Sequence, residues 1–587
     1  MFMNLSRIIS IFGSAVLEKY GIVFILVLFV VLNVVGIFYN YPLPNTVADE
    51  TVLMAATLKM IAEPSLRPDY PTMYHMPLGA YIYLPFFIAL LAFLRFSGLF
   101  TSLEALKEFG ILHYGKLLPM ARFISVCLGA VSVYLVYRIC ERLFNNRFIS
   151  LAASFLLATN LIFVELSHFG RVWLPQIFVI LVTFHFILDF YEKEYTRFRD
   201  YLKIALLTGI SFGTHFIGIL IYLPFLTAHY LKNKEKPFGD IFIKNKNFWL
   251  FNLVVIMMIL FVYYLNPYGF INYVGQSIKA GTAVVGDVSG MTGSIDFWTS
   301  MTDYGKVLFE TGPTLTIIFI LSLIPFFLYK RNLFYIFSSF ILGYYFVIGP
   351  VVGSNSIKEH YIVPIIPFMA IISAYGIYYF YKNNFISKKI NFTVSVIFYG
   401  IKIFLLTIVF LYPVYLVALW DYWLIQPGSI VLAKEWIHNN LPQGVRIVNF
   451  SPVPINENRE SIQDVKIYTP GFFLRGQDYL LSVGDDKYPK PNYYVLMMSN
   501  YREGVSAEVL NKHFDYAVIS WGDQAKYMKA IEEARQFHVK EENLIKIFPA
   551  NAGPSTFSMD LEIWRHPFYN LRKMNHAGPV VAIYRLD

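Results

Sequence analysis

The chain has 587 residues, of which 56% are hydrophobic, 18% aromatic and only 15% charged, with a mean hydropathy of +0.52. A soluble domain is nearer half apolar and a quarter charged, so composition excludes a purely water-soluble protein and indicates many membrane spans. The formal charge of +9 is loop bias rather than nucleic-acid affinity, and two cysteines, Cys127 and Cys140, in or near one apolar segment exclude a disulfide framework.

In chain order, residues 21–39 carry no charge and are long enough to cross a hydrocarbon core of about 30 Å. The run is long and no small-residue cleavage site follows, so it reads as a retained first span. Next comes "NTVADETVLMAATLKM", which sets Asp49 and Glu50 side by side. Leu53, Met54, Leu58 and Ile61 form a helical stripe, so the spacing predicts a helix over 50–62 along the membrane surface. Asp49 suits its N-cap and Glu50 its first turn, against the positive end of the helix dipole. Capping needs only one acid, which leaves a chemical role open for the pair.

In "RPDYPTMYHMPLGAY", Pro68, Pro71 and Pro77 prevent a continuous helix, and His75 stands just before the apolar run 77–96. Further apolar runs lie at about 119–139, 148–164, 172–190, 203–231, 248–266, 314–330, 333–350, 361–381 and 392–419. The run 203–231 is too long for one ordinary span, and "GISFGTHFIG" at its centre predicts two short helices meeting near His215. Lys and Arg crowd alternate connections, which sets the N-terminus in the cytoplasm. Parity is kept if 78–96 lies in the interface or re-enters the same side. The result is a polytopic α-helical protein of the plasma membrane with about eleven spans. Its outward face comprises 40–118, the turn "SHFGR", the His215 turn, 267–313, "GSNSIKEHY" and everything after 420.

Composition shifts after residue 420, where the sequence becomes charged and punctuated by Gly and Pro. "GVRIVNF", "FDYAVISW", "LIKIFPA" and "PVVAIYRL" read as strands, and "SIVLAKEWIHNNLP", "AEVLNKHF" and "QAKYMKAIEEARQF" as helices. The division is a membrane domain, 1–420, and a small extracytoplasmic α/β domain, 421–587.

Ionisable residues cluster in the outward turns. "ELSHFGRVWLPQ" carries Glu165, His168 and Arg171, and "KEHYIVPIIPFMAI" carries Lys358, Glu359, His360 and Tyr361 before a late span. Charge held at membrane depth is expensive and is a functional hypothesis by default, although an interfacial Arg or Lys also serves as a headgroup anchor. The Gly/Ser/Thr-rich stretch 277–305 reads as a mobile lid or as a simple connection.

In order, the acidic pair, "HMPLGAY", "ARFISVCLGAVSVYLVYRICERLF", "SHFGRVWLP" and "KEHYIVPIIPFMAI" resemble the GT-C superfamily of polyprenyl-phosphate-sugar glycosyltransferases, in its protein O-mannosyltransferase and aminoarabinose-transferase branch. The resemblance covers about 1–420. It implies inverting transfer of a sugar from a polyprenyl phosphate to a hydroxyl of a protein, lipid or glycan on the outer face of the membrane. Asp49 then matches the catalytic base and Glu50 its neighbour. His75, Arg122, Arg171, Lys358 and Tyr361 match groups around the donor phosphate. The partners implied are that donor, the acceptor and membrane lipid, with no nucleic acid. Two features depart from the pattern. Met76 replaces the first Pro of the usual pair, and the acid that often follows the turn Arg is absent, with Gln176 nearby. No cofactor is indicated for certain; a divalent cation is allowed, but two adjacent acids are an incomplete site for a hard ion. The competing readings are a transporter or flippase using the same ionisable residues, and a non-catalytic GT-C-like scaffold.

Overall fold

The computed structural model describes residues 20–44, 47, 49–63, 65, 67–68, 76–271, 275, 297–352, 359–382, 392–470, 474–500, 505–522, 524–550, 552, 567–574 and 576–586. The chain groups into two units, Met1–Ile37 with Val52–Ala89 and Met120–Ala418, and Phe38–Thr51 with Leu90–Pro119 and Leu419–Asp587.

The apolar runs form helices because lipid offers the backbone no hydrogen-bond partner. In chain order they are α1 (Tyr20–Val35), α2 (Glu50–Ala62), α3 (Leu78–Phe96), α4 (Leu103–Leu112), α5 (Leu118–Phe144), α6 (Arg147–Ala158), α7 (Leu161–His168) and α8 (Trp173–Glu192). There follow α9 (Phe198–Thr214), α10 (Tyr222–Asn233), α11 (Lys246–Leu265), α12 (Phe297–Thr311), α13 (Pro313–Tyr329), α14 (Arg331–Val352), α15 (Ile366–Lys382) and α16 (Phe392–Leu424). Among the described residues seven helices are long and apolar enough to cross a membrane, or nine if each of two bent pairs is one span. The sequence reading of about eleven leaves out α3 and counts α1, which is shorter, and α9 and α10 separately.

The helix breaks have local causes. Asn160 caps α7 by accepting from the Phe163 N–H at 3.1 Å, so the apolar run 148–164 becomes α6 and α7, bent by 58°. Pro313 opens α13 where its missing N–H leaves nothing unsatisfied, and α12 meets α13 at 114°. His215 has extended backbone and ends α9, and a 3₁₀ turn, Phe216–Ile221, leads into α10. The two short helices expected around His215 are present. A second 3₁₀ segment, Glu359–Ile365, precedes α15.

Residues 78–96 form one unbroken 19-residue helix, α3, long and apolar enough to cross. α2 begins at Glu50 as expected, but its buried side is not the stripe Leu53, Met54, Leu58 and Ile61. Its buried residues include Val52, Leu53, Met54, Ala56, Thr57 and Met60, while Leu58 and Ile61 are half-buried. Ala56 and Thr57 are small enough for close approach, and the Thr57 hydroxyl donates to Leu53 O at 2.7 Å or to Ala80 O at 3.1 Å. The stretch 277–305 divides: 297–305 belong to α12, and 277–296 lie outside the described residues.

Small residues set the helix spacing, as expected where lipid gives helices no hydrophobic reason to associate. α13 and α15 are packed so closely at Gly376 that a Cβ there would lie 1.8 Å from Ser322 Oγ and 2.4 Å from Ser322 Cβ. Rotating the serine relieves only the first contact. Gly376→Ala is therefore expected to force the two helices apart and destabilise the fold by about 1–3 kcal/mol. Thermal melting of the purified protein in detergent checks this, and an unchanged midpoint would show that the helices separate without penalty.

The second unit is built on a five-stranded sheet, β1 (Arg446–Phe450), β2 (Tyr494–Met497), β3 (Tyr516–Trp521), β4 (Leu544–Phe548) and β5 (Val580–Arg585), in the order β2-β1-β3-β5-β4. β1 runs parallel to β2 and β3, whereas β5 is antiparallel to β3 and β4. Strand alternation divides the core between the two faces. Ile447, Val495, Val518 and Ile583 pack on one face with Ile430 and Ile437 of the Ser429–Asn440 helix. Val448, Leu496, Ile519 and Ala582 pack on the other with Tyr527 and Ile531 of the Gln524–Ala534 helix. The four strands read from sequence are present, and β2 is additional. Leu43, from the first long loop, enters the first of these cores.

Candidate functional site

Asp49 and Glu50 occupy different environments. Helix α2 starts at Glu50, whose side chain is fully buried. Asp49 is half-buried and has a φ of +61°, a left-handed conformation. The extended backbone of an ordinary N-cap, as at Asn146 and Asn160, is therefore not adopted. Among L residues, Asp and Asn enter the left-handed region most readily, so the backbone alone favours them at this position. Of the two carboxylates, Asp49 is the more accessible to a hydroxyl in solution.

In the first unit, four stretches read separately from the sequence come together. The Pro-Leu-Gly stretch opens α3 and lies against the turn that carries Arg171. A Cβ on Gly79 would meet Leu53 of α2 at 2.9 Å and Val172 at 3.7 Å. Leu78 fills the space beside Gly213, two residues before His215. Tyr83, one turn further along α3, shares a hydrogen bond of 3.0 Å with Ser125 of α5.

Arg122, near the start of α5, is fully buried. Its guanidinium donates to Ile37 O at 2.8 Å, and its Cζ lies 5.8 Å from the centre of the Phe169 ring. Phe169 belongs to the "SHFGR" turn, so Arg122 links the end of the first apolar segment to that turn. Arg171 is buried at the other end of the turn, and its backbone N–H donates to Phe169 O at 2.8 Å.

Two residues on, the Trp173 indole is the meeting point. Its centre lies 4.7 Å from the His215 ring, 5.1 Å from His360 and 4.8 Å from Tyr361, the last at an interplanar angle of 77°. The Arg171 turn, the His215 turn and the segment carrying Tyr361 are thus assembled around one ring. Gln176, in place of the acid that the resemblance would supply, donates to Ser211 Oγ at 3.2 Å, and that hydroxyl donates to Gly218 O at 3.1 Å. It ties α8 to the end of α9 and the following 3₁₀ turn. His75 and Lys358 lie outside the described residues.

The sequence reading did not single out Trp173, His215 or His360 as site residues. His215 was marked by its turn and His360 by its neighbour Tyr361. Trp173 gave no signal beyond an aromatic at the start of a span. Among the described residues no three His, Cys, Asp or Glu side chains gather into a metal site.

The sequence model of dolichyl-phosphate-mannose-protein mannosyltransferases matches residues 110–265. No curated protein matches the sequence. Among solved structures, that of ArnT from Cupriavidus metallidurans bound to undecaprenyl phosphate is similar over 97% of this chain and 98% of its own, with a TM-score of 0.51 at 12% identity. The apo state of the same protein gives 0.46 at 13% identity, over 95% of this chain and 97% of that one. The shared property is the fold, and it runs the length of the molecule.

Proposed function

We propose that this chain, which carries the GT-C fold from end to end, is a membrane glycosyltransferase that moves a sugar from a polyprenyl phosphate to a hydroxyl acceptor. The observation that supports this most is the whole-length fold similarity to a protein solved with undecaprenyl phosphate bound, together with the mannosyltransferase match over 110–265.

In such a transfer the polyprenyl phosphate departs as an anion, so the leaving group needs no general acid. The enzyme's task is to remove the acceptor's proton and to stabilise the charge that develops on the phosphate. Asp49 is the base: the acceptor oxygen attacks the anomeric carbon as its proton passes to the Asp49 carboxylate, and the bond from that carbon to the phosphate oxygen breaks. Direct displacement inverts the configuration. Glu50, buried at the start of α2, orients that end of the helix and with it Asp49. Arg171 and Tyr361, linked through Trp173, belong to the phosphate cradle with His75 and Lys358. Arg122 supports that cradle through Phe169. The reaction faces the outside of the plasma membrane, with protein Ser/Thr, lipid or glycan as the acceptor class.

The test is to supply membranes containing the protein with radiolabelled polyprenyl-phosphate sugars, one sugar at a time. Release of free polyprenyl phosphate coupled to a labelled product is the expected result. Movement of an intact donor across the bilayer with no cleavage would replace the transferase reading by the flippase one.

A further inference from the structure

We infer that His215 and His360 are ligands of the donor phosphate, held in place by Trp173. This rests on the transferase reading and deepens it by naming residues that neither the resemblance nor the comparisons assign.

The geometry comes first. Besides their contacts with Trp173, His360 lies 4.9 Å from Tyr361 at 31°, and His215 lies 5.9 Å from it. Four rings from three elements distant in sequence make one group. His215, His360 and Trp173 are 1%, 4% and 3% exposed, and Arg171 is 3% exposed. Ring packing alone does not call for imidazole here. Phenylalanine would stack as well and would not bring two polar nitrogens per ring into a buried place.

The chemistry of the neighbourhood is the second argument. Arg171, two residues before Trp173, only donates, and His215, His360 and the Tyr361 hydroxyl beside that ring can each donate. Donors gathered around one ring suit a group that only accepts, and a phosphate ester is that group.

The backbone gives the third. α8 begins at Trp173 with no side-chain cap, so its first N–H groups and the positive end of its dipole lie at the same place. His215 and His360 both sit on or beside 3₁₀ segments that interrupt apolar helices. Irregular backbone beside apolar helices is tolerated where it lines a site.

The experiment uses the full-length protein in nanodiscs of neutral lipid and compares binding of undecaprenyl phosphate with binding of undecaprenol. The parent is expected to prefer the phosphate by more than tenfold. His215→Phe and His360→Phe keep the ring and delete the donors. Each is expected to lose about tenfold of that preference, the size of one charge-assisted hydrogen bond, with the melting midpoint unchanged. His215→Gln and His360→Gln restore a donor and are expected to recover part of it. If a Phe variant fails to fold, the Gln variant at that position and the Phe variant at the other carry the test.

Full preference in both Phe variants would overturn the inference while leaving the transferase reading intact. Preference lost in the variants of a parent that cleaves no donor would keep the phosphate site and remove the transferase reading. Equal competition by phosphatidic acid would assign the site to bulk phospholipid and overturn the donor assignment.

Discussion

Asp49→Asn is expected to lower sugar transfer by about 10²–10⁴-fold, the usual contribution of a positioned general base. Donor binding and the melting midpoint should be preserved. The choice of Asn follows from the backbone. Asp49 has a φ of +61°, and Asn is the residue that holds this conformation as readily as Asp does. Asp49→Ala would remove the carboxylate too, but it would add backbone strain of about 1 kcal/mol and confuse chemistry with structure. The assay follows release of polyprenyl phosphate, with donor affinity measured separately on the same preparation. The companion variant is Glu50→Gln. Because Glu50 is buried and Asp49 only half-buried, the Gln variant is expected to lose less turnover and more stability. The reverse pattern, with turnover collapsing in Glu50→Gln and surviving in Asp49→Asn, would transfer the base to Glu50.

Much of this architecture was legible from residue pattern because the governing physics is local. The strands of the second unit announced themselves by β-branched and aromatic runs, as in "GVRIVNF" and "PVVAIYRL". β2 did not, since its four residues, Tyr494–Met497, form a short edge strand in an evenly apolar stretch with no alternation. The turn at His215 was readable from Gly213 and Thr214. The break at Asn160 could have been read too, because Asn four residues before the end of an apolar run is a cap signal. α2 shows what pattern reading undervalues. Leu58 and Ile61 read as part of its apolar stripe, yet Ala56 and Thr57 are the more deeply buried, because small residues gain burial by close approach rather than by their own surface. The site divides in the same way. Asp49, Arg122, Arg171 and Tyr361 were named through the family resemblance that the order of motifs along the chain carries. That Trp173 joins the turns of His215 and Tyr361 depends on three distant segments packing together, and no local pattern carries that information.

Arg122→Met is expected to cost about 3 kcal/mol of stability, the largest such loss among the changes considered. Arg122 is fully buried, and Met, the longest unbranched apolar side chain, removes its polar function and leaves a small space at the guanidinium end. What is lost is a charge-assisted hydrogen bond to Ile37 O at 2.8 Å, about 1.5–3 kcal/mol. The contact with the Phe169 ring, 5.8 Å from its centre, adds about 1 kcal/mol. Ile37 O is left to find another donor, which sets the cost at the upper part of the range. Arg122→Lys keeps the charge, but a single ammonium cannot reproduce the planar fork that serves the carbonyl and the ring together, so about half the loss is expected to return. Melting in detergent gives the stability. Transfer measured per folded molecule gives the function. Since Phe169 is part of the turn that carries Arg171, a loosened turn should lower kcat more than it raises the donor KM. Unchanged melting in Arg122→Met would show that the link from Ile37 to the turn does not hold the fold. A donor KM raised tenfold with kcat preserved would mean that Arg122 binds the phosphate itself rather than supporting the residues that do.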